Sequence, residues 1–562
     1  MLFRKPIVLA ALINAFFLAL YLAFGVLQHG SLDDYFMSCV LTGAYGSEYD
    51  VHMYFVNSAY GYFLKPFYLL FPKVGWYFLF ELAGTFAAFL TFAYFLIRRL
   101  GTKKGVVLSF LLLATFTPDF YFQLSFTQCA TIYTAAGLVS ISFASEKRRF
   151  WVMGCFFLIA GSVMRWEGFL LGMPYLLLFA SLYFVFYRSK RKEAVIALGI
   201  CLAAICGLHA YDKSLYTGDD YKFYTEYQPV RAFFGDGAFY DIESTFDELQ
   251  ERGMQGADFR LLKSWMFYDK DVFSIDSLRP IIDVANNNLY SPNPARMPVA
   301  FFMAVSRELT RSIGWCWAIF CILLMLIPSK RANIYPWISL GIISVSIGYL
   351  LLVNRLAYHV ESGIWLYAVV CSIPFLSNKE FNSNSVATRL RNIVPYILVL
   401  LAVFFAYFGI AEQGNVKKQW RLIEGTETPS DWKSFLEYTE MHLDDVFLLS
   451  FERYKTLGTY KNPAYLAVEP GSWQNIFSWG YWNIYLPGME REFHKRGIQN
   501  PIKDIIHDNV YLLEDDNRPS LLDFYRTHYH DSLWVDTVKT FGDLMLLKYH
   551  SSKLQEKDGG IL

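Results

Sequence analysis

The chain has 562 residues, with 50 Lys and Arg against 50 Asp and Glu and so no formal net charge at pH 7. Apolar residues make up 54% of it, charged ones only 18%, and 51 Phe, 39 Tyr and 14 Trp make it strongly aromatic. This composition excludes an ordinary soluble domain; the zero net charge says little about partners, and no nucleic-acid partner is expected.

The apolar residues fall in runs long enough to cross a bilayer, which takes about 20 residues per helix. Eleven spans are expected, at 7–27, 74–97, 105–118, 124–144, 150–164, 168–187, 193–210, 312–328, 333–353, 362–377 and 393–412. No small-residue cleavage site follows the first run, which reads as a retained helix rather than a removed signal peptide. Basic residues in short loops mark the cytoplasmic side. Arg4-Lys5, Arg98-Arg99 with Lys103-Lys104, Lys147-Arg148-Arg149, Arg188 with Lys190-Arg191-Lys192, Lys330-Arg331, and Lys379 with Arg389 and Arg391 all fall on one side. The opposite short loops hold only Lys65, Lys73, Arg165 and Arg355. The N-terminus is therefore expected inside, with 28–73, 118–123, 165–167, 211–311, 354–361 and the tail from 413 outside.

Of the eight cysteines, only Cys39 falls in an external segment, so there is no disulfide framework to read. No CxxC or His/Cys cluster has zinc-site spacing. One large external tail without disulfides fits a bacterial plasma membrane.

The loop 28–73 mixes acids, small residues and aromatics. In 211–311, helices are expected around Ser244–Glu251, Ala257–Tyr268, Asp271–Ile282 and Pro298–Arg311, the last amphipathic and suited to the membrane surface. The tail alternates helix and strand signals. Pro429-Ser430-Asp431 starts a helix; Val446–Ser450, Ala464–Val468, Val510–Leu513, Leu533–Val535 and Leu544–Tyr549 read as strands, and 488–497 and 518–527 as helices. The expected fold is a polytopic α-helical membrane domain over 1–412, followed by an extracytoplasmic α/β domain over 413–562.

Two adjacent carboxylates, Asp33-Asp34, follow the first span. Such a pair at a membrane boundary is costly to keep, and its placement suggests a chemical site. The plain alternative is a pair of solvated loop residues at a helix cap, Ser31-Leu32-Asp33-Asp34. Other polar residues gather on the same side: Asp119 after Thr117-Pro118, Arg165-Trp166-Glu167 between two spans, and Arg355 with His359 and Glu361 at a later turn. Arg165 and Glu167 could equally pair with one another, His359 could be a hydrogen-bonded structural histidine, and Arg355 a snorkelling residue.

On these residues the chain resembles the membrane glycosyltransferases of the GT-C fold, which use polyprenyl-phosphate sugars; protein O-mannosyltransferases and aminoarabinose transferases are relatives. Leu32-Asp33-Asp34-Tyr35 is similar to the family's acidic pair, and Arg165-Trp166-Glu167-Gly168 to its Arg-aromatic-Glu-Gly turn. Arg355 with His359 and Glu361 is similar to its late Arg-containing loop. A second Arg–Asp pair found in many relatives is represented here only by Asp119, which leaves metal dependence, and a divalent cofactor, open. The resemblance implies a sugar on a lipid phosphate as donor, an extracytoplasmic glycan, lipid or protein as acceptor, and the bilayer as surroundings. Asp33 is the expected base, with Asp34 orienting it or the acceptor. Arg165, Arg355 and His359 are expected on the donor phosphate, with Glu167, Asp119 and Glu361 in support. Two other classes compete: a lipid-linked-sugar flippase or transporter, and a non-catalytic protein that binds surface polymer.

Overall fold

The structure, a computed structural model, describes residues 5–25, 27–46, 48–122, 124–235, 247, 250–251, 253–289, 297–353, 355–377, 394–409, 411, 429–461, 463–514 and 518–552. It begins with an apolar helix, α1 (Pro6–Phe24), that ends at Gly25. A short helix, α2 (Leu32–Thr42), follows, and then α3 (Ser58–Leu70). The bundle continues with α4 (Trp76–Leu100), α5 (Thr102–Thr117), α6 (Phe126–Ser142), α7 (Arg149–Met164), α8 (Trp166–Leu171), α9 (Met173–Phe186), α10 (Arg191–Leu215) and α11 (Asp219–Gly235). A π-helical turn over Pro118–Phe122 extends α5.

Helix α6 is buried along its length and forms the axis of the bundle. Small residues let α7 approach it closely. A Cβ at Gly161 would stand 2.9 Å from the Ala130 carbonyl oxygen, and one at Gly137 would stand 2.9 Å from that of Gly154. Such close backbone approach is how helices pack where lipid supplies no hydrophobic drive.

Five helical stretches among the described residues are long and apolar enough to cross a membrane: Pro6–Phe24, Trp76–Leu100, Thr102–Phe122, Arg188–Leu215 and Lys330–Leu352. A sixth arises if Pro298–Arg307 and Ser312–Met325, bent by 86°, are one span. The other expected spans fall on shorter helices, such as Arg149–Met164 and Val394–Gly409, or on a run broken at Gly172 between α8 and α9.

The basic loops meet at one end of the bundle. Arg98 pairs with Glu146, Arg148 with Glu193 at 2.7 Å, and Lys190 donates to the Ser145 carbonyl. Arg99 donates to the Leu376 carbonyl at 2.6 Å, and the Arg331 guanidinium stacks on Phe186. The acidic pair and its neighbours lie at the other end.

Residues 446–551 hold a five-stranded sheet of β1 (Val446–Leu449), β2 (Ile476–Ser478), β3 (Val510–Leu513), β4 (Leu533–Phe541) and β5 (Leu544–Ser551), in the order β2-β1-β3-β5-β4. The strands β1, β2 and β3 run parallel, so each connection needs a crossover; helices Phe451–Lys461 and Pro487–Lys495 supply them. A tight turn at Gly542, φ +59°, joins β4 to β5. The expected strand at Ala464–Val468 does not form. Its backbone instead bonds the membrane domain, Ala464 N–H to the Leu27 carbonyl at 3.0 Å and Ala467 N–H to that of Lys73 at 3.1 Å. The expected helix at Ser244–Glu251 lies outside the described residues for most of its length.

The tail is seated on α2 and its loop. Gly471 N–H donates to the Gly43 carbonyl at 2.9 Å and Trp473 N–H to that of Ala44 at 2.8 Å. Phe36 stacks on Tyr454 with centroids 4.3 Å apart and planes at 4°, and Tyr45, Tyr454 and Asn483 share a buried hydrogen-bond cluster. These contacts position one face of the tail over the acidic pair.

Candidate active site

Ser31 begins α2. Its backbone is extended and its hydroxyl accepts from the Asp34 N–H at 3.2 Å, as an N-cap residue does. Two carboxylates in the first helical turn also suit the positive end of the helix dipole. The helix then separates the pair. Asp34 points into the protein, where it is fully buried. Its Oδ1 accepts from the Tyr77 hydroxyl at 2.8 Å and the Phe126 N–H at 3.0 Å, and its Oδ2 from the Ser31 hydroxyl at 2.5 Å. Burial raises its pKa from 3.8 to about 7, against the pull of those hydrogen bonds. Asp33 lies on the wall of a cavity of about 1570 Å³ and accepts from the Tyr481 hydroxyl. The plain reading of the pair as a helix cap therefore holds for Ser31, while Asp34 is not solvated.

Arg165, Glu167, Arg355 and His359 line the same cavity. Arg165 ends α7 in an extended conformation that turns the chain into α8. Its Nη1 donates to the Thr127 hydroxyl at 2.5 Å, and its guanidinium lies 4.9 Å from the Phe126 ring centroid. Glu167 pairs with Arg165 at 3.5 Å but is 74% exposed, so the bond is screened and worth little. Arg355 is exposed, with no ion-pair partner among the described residues; its N–H donates to the Leu350 carbonyl at 2.8 Å.

Asp34, Asp119 and Glu361 do not line the cavity; they lie behind its wall. Asp119, in the π-helical turn, accepts from the Tyr358 hydroxyl through both oxygens at 2.7 Å. Glu361 is fully buried and pairs with Arg307. Both acids thus hold the segment that carries Arg355 and His359, and Arg311 lies 4.0 Å from the Tyr358 ring centroid.

Several lining residues escaped the sequence reading: Arg231, Trp265, Arg307, Phe451, Tyr481 and Trp482. All come from 211–311 or the tail, and no spacing ties them to the acidic pair. Only the amphipathic pattern of 298–311, with Arg307 near its end, was visible.

Ser31, Ser125, Gln128 and Thr131 add polar groups to the wall, and one side of it is apolar. Leu170, Leu171 and Pro174 contribute to it, with Ala300, Met303 and Ala304 from helix Met297–Leu309 and Val345, Tyr349 and Val353 around helix Lys330–Leu352. Met303, Val345 and Tyr349 are also strongly exposed on the bundle's outer surface. The cavity therefore joins a charged, aromatic end to an apolar side open toward the surroundings.

Among the described residues no group of three or more His, Cys, Asp or Glu side chains could hold a metal ion. Both Asp34 oxygens are occupied by protein donors, so the acidic pair does not fit a shared metal.

No family model and no curated protein matches the chain. Among solved structures it is similar to ArnT from Cupriavidus metallidurans in the apo state, at 11% identity and a TM-score of 0.40, over 95% of this chain and 97% of that one. It is also similar to ArnT from Cupriavidus metallidurans bound to undecaprenyl phosphate, at 10% identity and a TM-score of 0.36, over the same shares of the two chains.

Proposed function

We propose that the chain is a membrane glycosyltransferase that moves a sugar from a polyprenyl-phosphate donor to an extracytoplasmic acceptor. The observation that carries this reading is the cavity. It places a carboxylate, Asp33, in one space with Arg165, Arg355 and His359, and that space opens sideways through apolar residues. A water-soluble donor has no use for an apolar side wall; a lipid phosphate does.

In the reaction the acceptor hydroxyl attacks the anomeric carbon. The new bond runs from acceptor oxygen to C1, the bond from C1 to the phosphate oxygen breaks, and the hydroxyl proton passes to Asp33. The lipid phosphate leaves with the electron pair. Arg165 and Arg355 would meet its growing negative charge, as guanidinium groups do for phosphates. The hydrogen bond that Arg165 donates to Thr127 and its packing against Phe126 orient the guanidinium, so little ordering is needed at the moment of reaction. The polyprenyl chain would lie along Met303, Val345 and Tyr349. Asp119 and Glu361 would act at one remove, by fixing the segment around His359. With the basic loops in the cytoplasm, the cavity faces outward.

The test is transfer of radiolabelled sugar from a polyprenyl phosphate by protein in nanodiscs carrying bacterial envelope lipid and glycan. Transfer that depends on Asp33 supports the reading. Donor lipid crossing the bilayer with no glycosidic bond formed would instead indicate a flippase.

A further inference from the structure

Residues 464–467 of the tail meet the membrane domain at the height where two spans end. Ala464 N–H donates to the carbonyl of Leu27, just beyond the end of α1 at Phe24, at 3.0 Å. Gly75 N–H, immediately before α4, donates to the Tyr465 carbonyl at 2.8 Å, and Val74 pairs antiparallel with Leu466. The approach is so close that a Cβ at Gly75 would stand 2.2 Å from the Ala464 carbonyl oxygen. Both α1 and α4 are long and apolar enough to cross a membrane, so these bonds fix 464–467 at the boundary of the bilayer.

That boundary carries exposed apolar side chains from two segments far apart in the chain. At the end of α3, Leu69 is 73% exposed, Leu70 71% and Phe71 58%. Tyr465 and Leu466, bonded to the chain just after them, are exposed as well. So are Leu22 and Phe24, at the end of α1 to which Ala464 is tied through Leu27. Apolar side chains gathered in this way mark a surface that meets a partner or a membrane. The charges around them are of one sign: Lys65 and Lys73 are exposed, and no Asp or Glu occurs in 61–76 or 463–468. Trp76 packs on Phe67 and Phe71, and its indole N–H donates to the Phe71 carbonyl at 3.1 Å. Amphipathic aromatics of this kind settle at the level of lipid headgroups.

We propose that Leu69–Phe71 and Tyr465-Leu466 form one membrane-binding surface, seated among the headgroups of the leaflet at the cavity end, with Lys65 and Lys73 on anionic lipid phosphates. Water does not suit large apolar side chains at this height; the boundary between headgroups and acyl chains does. Lysine stems lie along apolar surface while their ammonium groups reach the phosphates. A second copy of the chain fits less well, because two such patches face to face would set lysines against lysines. The tail therefore holds the bilayer through its own residues and is not carried by the helical bundle alone. That steadies the height of Tyr481, which bonds Asp33 from the same tail. The inference needs a membrane-spanning chain but no glycosyl transfer, so it stands or falls apart from the donor reading.

The test uses the full chain, in a Cys206→Ser background, in nanodiscs holding one chain each. A polarity-sensitive fluorophore is attached at Leu466→Cys, or at Tyr465→Cys if that variant does not fold. A second sample carries it at Val538→Cys, exposed on β4. Brominated phosphatidylcholine should quench the first label and leave the Val538→Cys label unchanged. Brominated phosphatidylglycerol at the same mole fraction should quench the first label more strongly, since each lysine enriches anionic lipid by up to about fivefold. Lys65→Gln with Lys73→Gln should remove that difference. A first label that aqueous iodide reaches as readily as the Val538→Cys label would overturn the proposal. So would equal quenching by the two lipids, or a label that leaves water only when a disc holds two chains, which would make the occupant a second copy.

Discussion

Tyr481 donates its phenolic hydrogen to the Asp33 carboxylate, joining residues 448 positions apart in the chain. The tail thus reaches the first helix after α1 and fixes the orientation of the carboxylate in the cavity. Tyr481 is buried against Phe36 and Phe451, so Tyr481→Phe keeps the packing and removes only the hydrogen bond. A bond to a charged group is worth about 1.5–3 kcal/mol. Turnover should fall about tenfold or more, with polyprenyl phosphate affinity unchanged. Steady-state kinetics beside a lipid-binding measurement checks this; unchanged turnover would make the contact purely structural.

Arg165 and Arg355 should govern donor binding. Replacing either by Gln removes a charge-assisted contact, again worth about 1.5–3 kcal/mol, and should weaken polyprenyl phosphate binding by about 10- to 150-fold. Lys should restore only part, because its point charge cannot form a bidentate fork. Binding to nanodisc-held protein, with a melting curve for each variant, reads this out. Wild-type affinity in both Gln variants would assign the arginines to structure.

Asp34 should leave a mark on stability. In the folded protein it keeps its proton up to about pH 7, while in the unfolded chain it loses it near 3.8. Between those values the folded state binds the extra proton, so stability falls as pH rises through the window. The slope is at most about 1.4 kcal/mol per pH unit. Asn in place of Asp34 can still accept from Tyr77 and Phe126, and it removes the titration. Wild type should therefore lose more melting temperature than Asp34→Asn between pH 5 and pH 7 (approximate bounds from the same pair of values). Parallel profiles would contradict the assignment of this pH dependence to Asp34.

Orientation can be read with impermeant thiol reagents on spheroplasts. Thr217→Cys and Val538→Cys are exposed positions at the cavity end and in the tail; Ser189→Cys is exposed among the basic loops. In a Cys206→Ser background, the first two should label and the third should not until the membrane is opened. The reverse pattern would turn the cavity toward the cytoplasm.

What the sequence disclosed follows a physical divide. Local signals were readable: Ser31 as a cap, the strand Val510–Leu513, the helix start at Pro429 and the strand that begins at Leu544 all stand where the pattern put them. Asp33, Arg165, Arg355 and His359, read as short-loop residues of one face, line one cavity. The different fates of Asp33 and Asp34 were not readable, since they depend on which way α2 rolls against Tyr77. Nor was the aromatic wall, because Trp265, Phe451 and Tyr481 meet only through docking of three distant segments. Ala464–Val468 carries a strand's composition, yet its partners are Leu27 and Lys73 rather than the sheet; pattern alone does not distinguish these.

The most direct test of the account is glycosyl transfer by Asp33→Asn. Asn keeps the size of the side chain and can still accept from Tyr481, but it cannot take the acceptor proton. Loss of a general base typically lowers the rate about 10²- to 10⁴-fold. Measured in nanodiscs with a polyprenyl-phosphate sugar and envelope acceptor, the variant should bind donor as wild type does and transfer at most about one-hundredth as fast. An Asp33→Asn protein that transfers sugar at the wild-type rate would contradict the account and remove Asp33 from the chemistry.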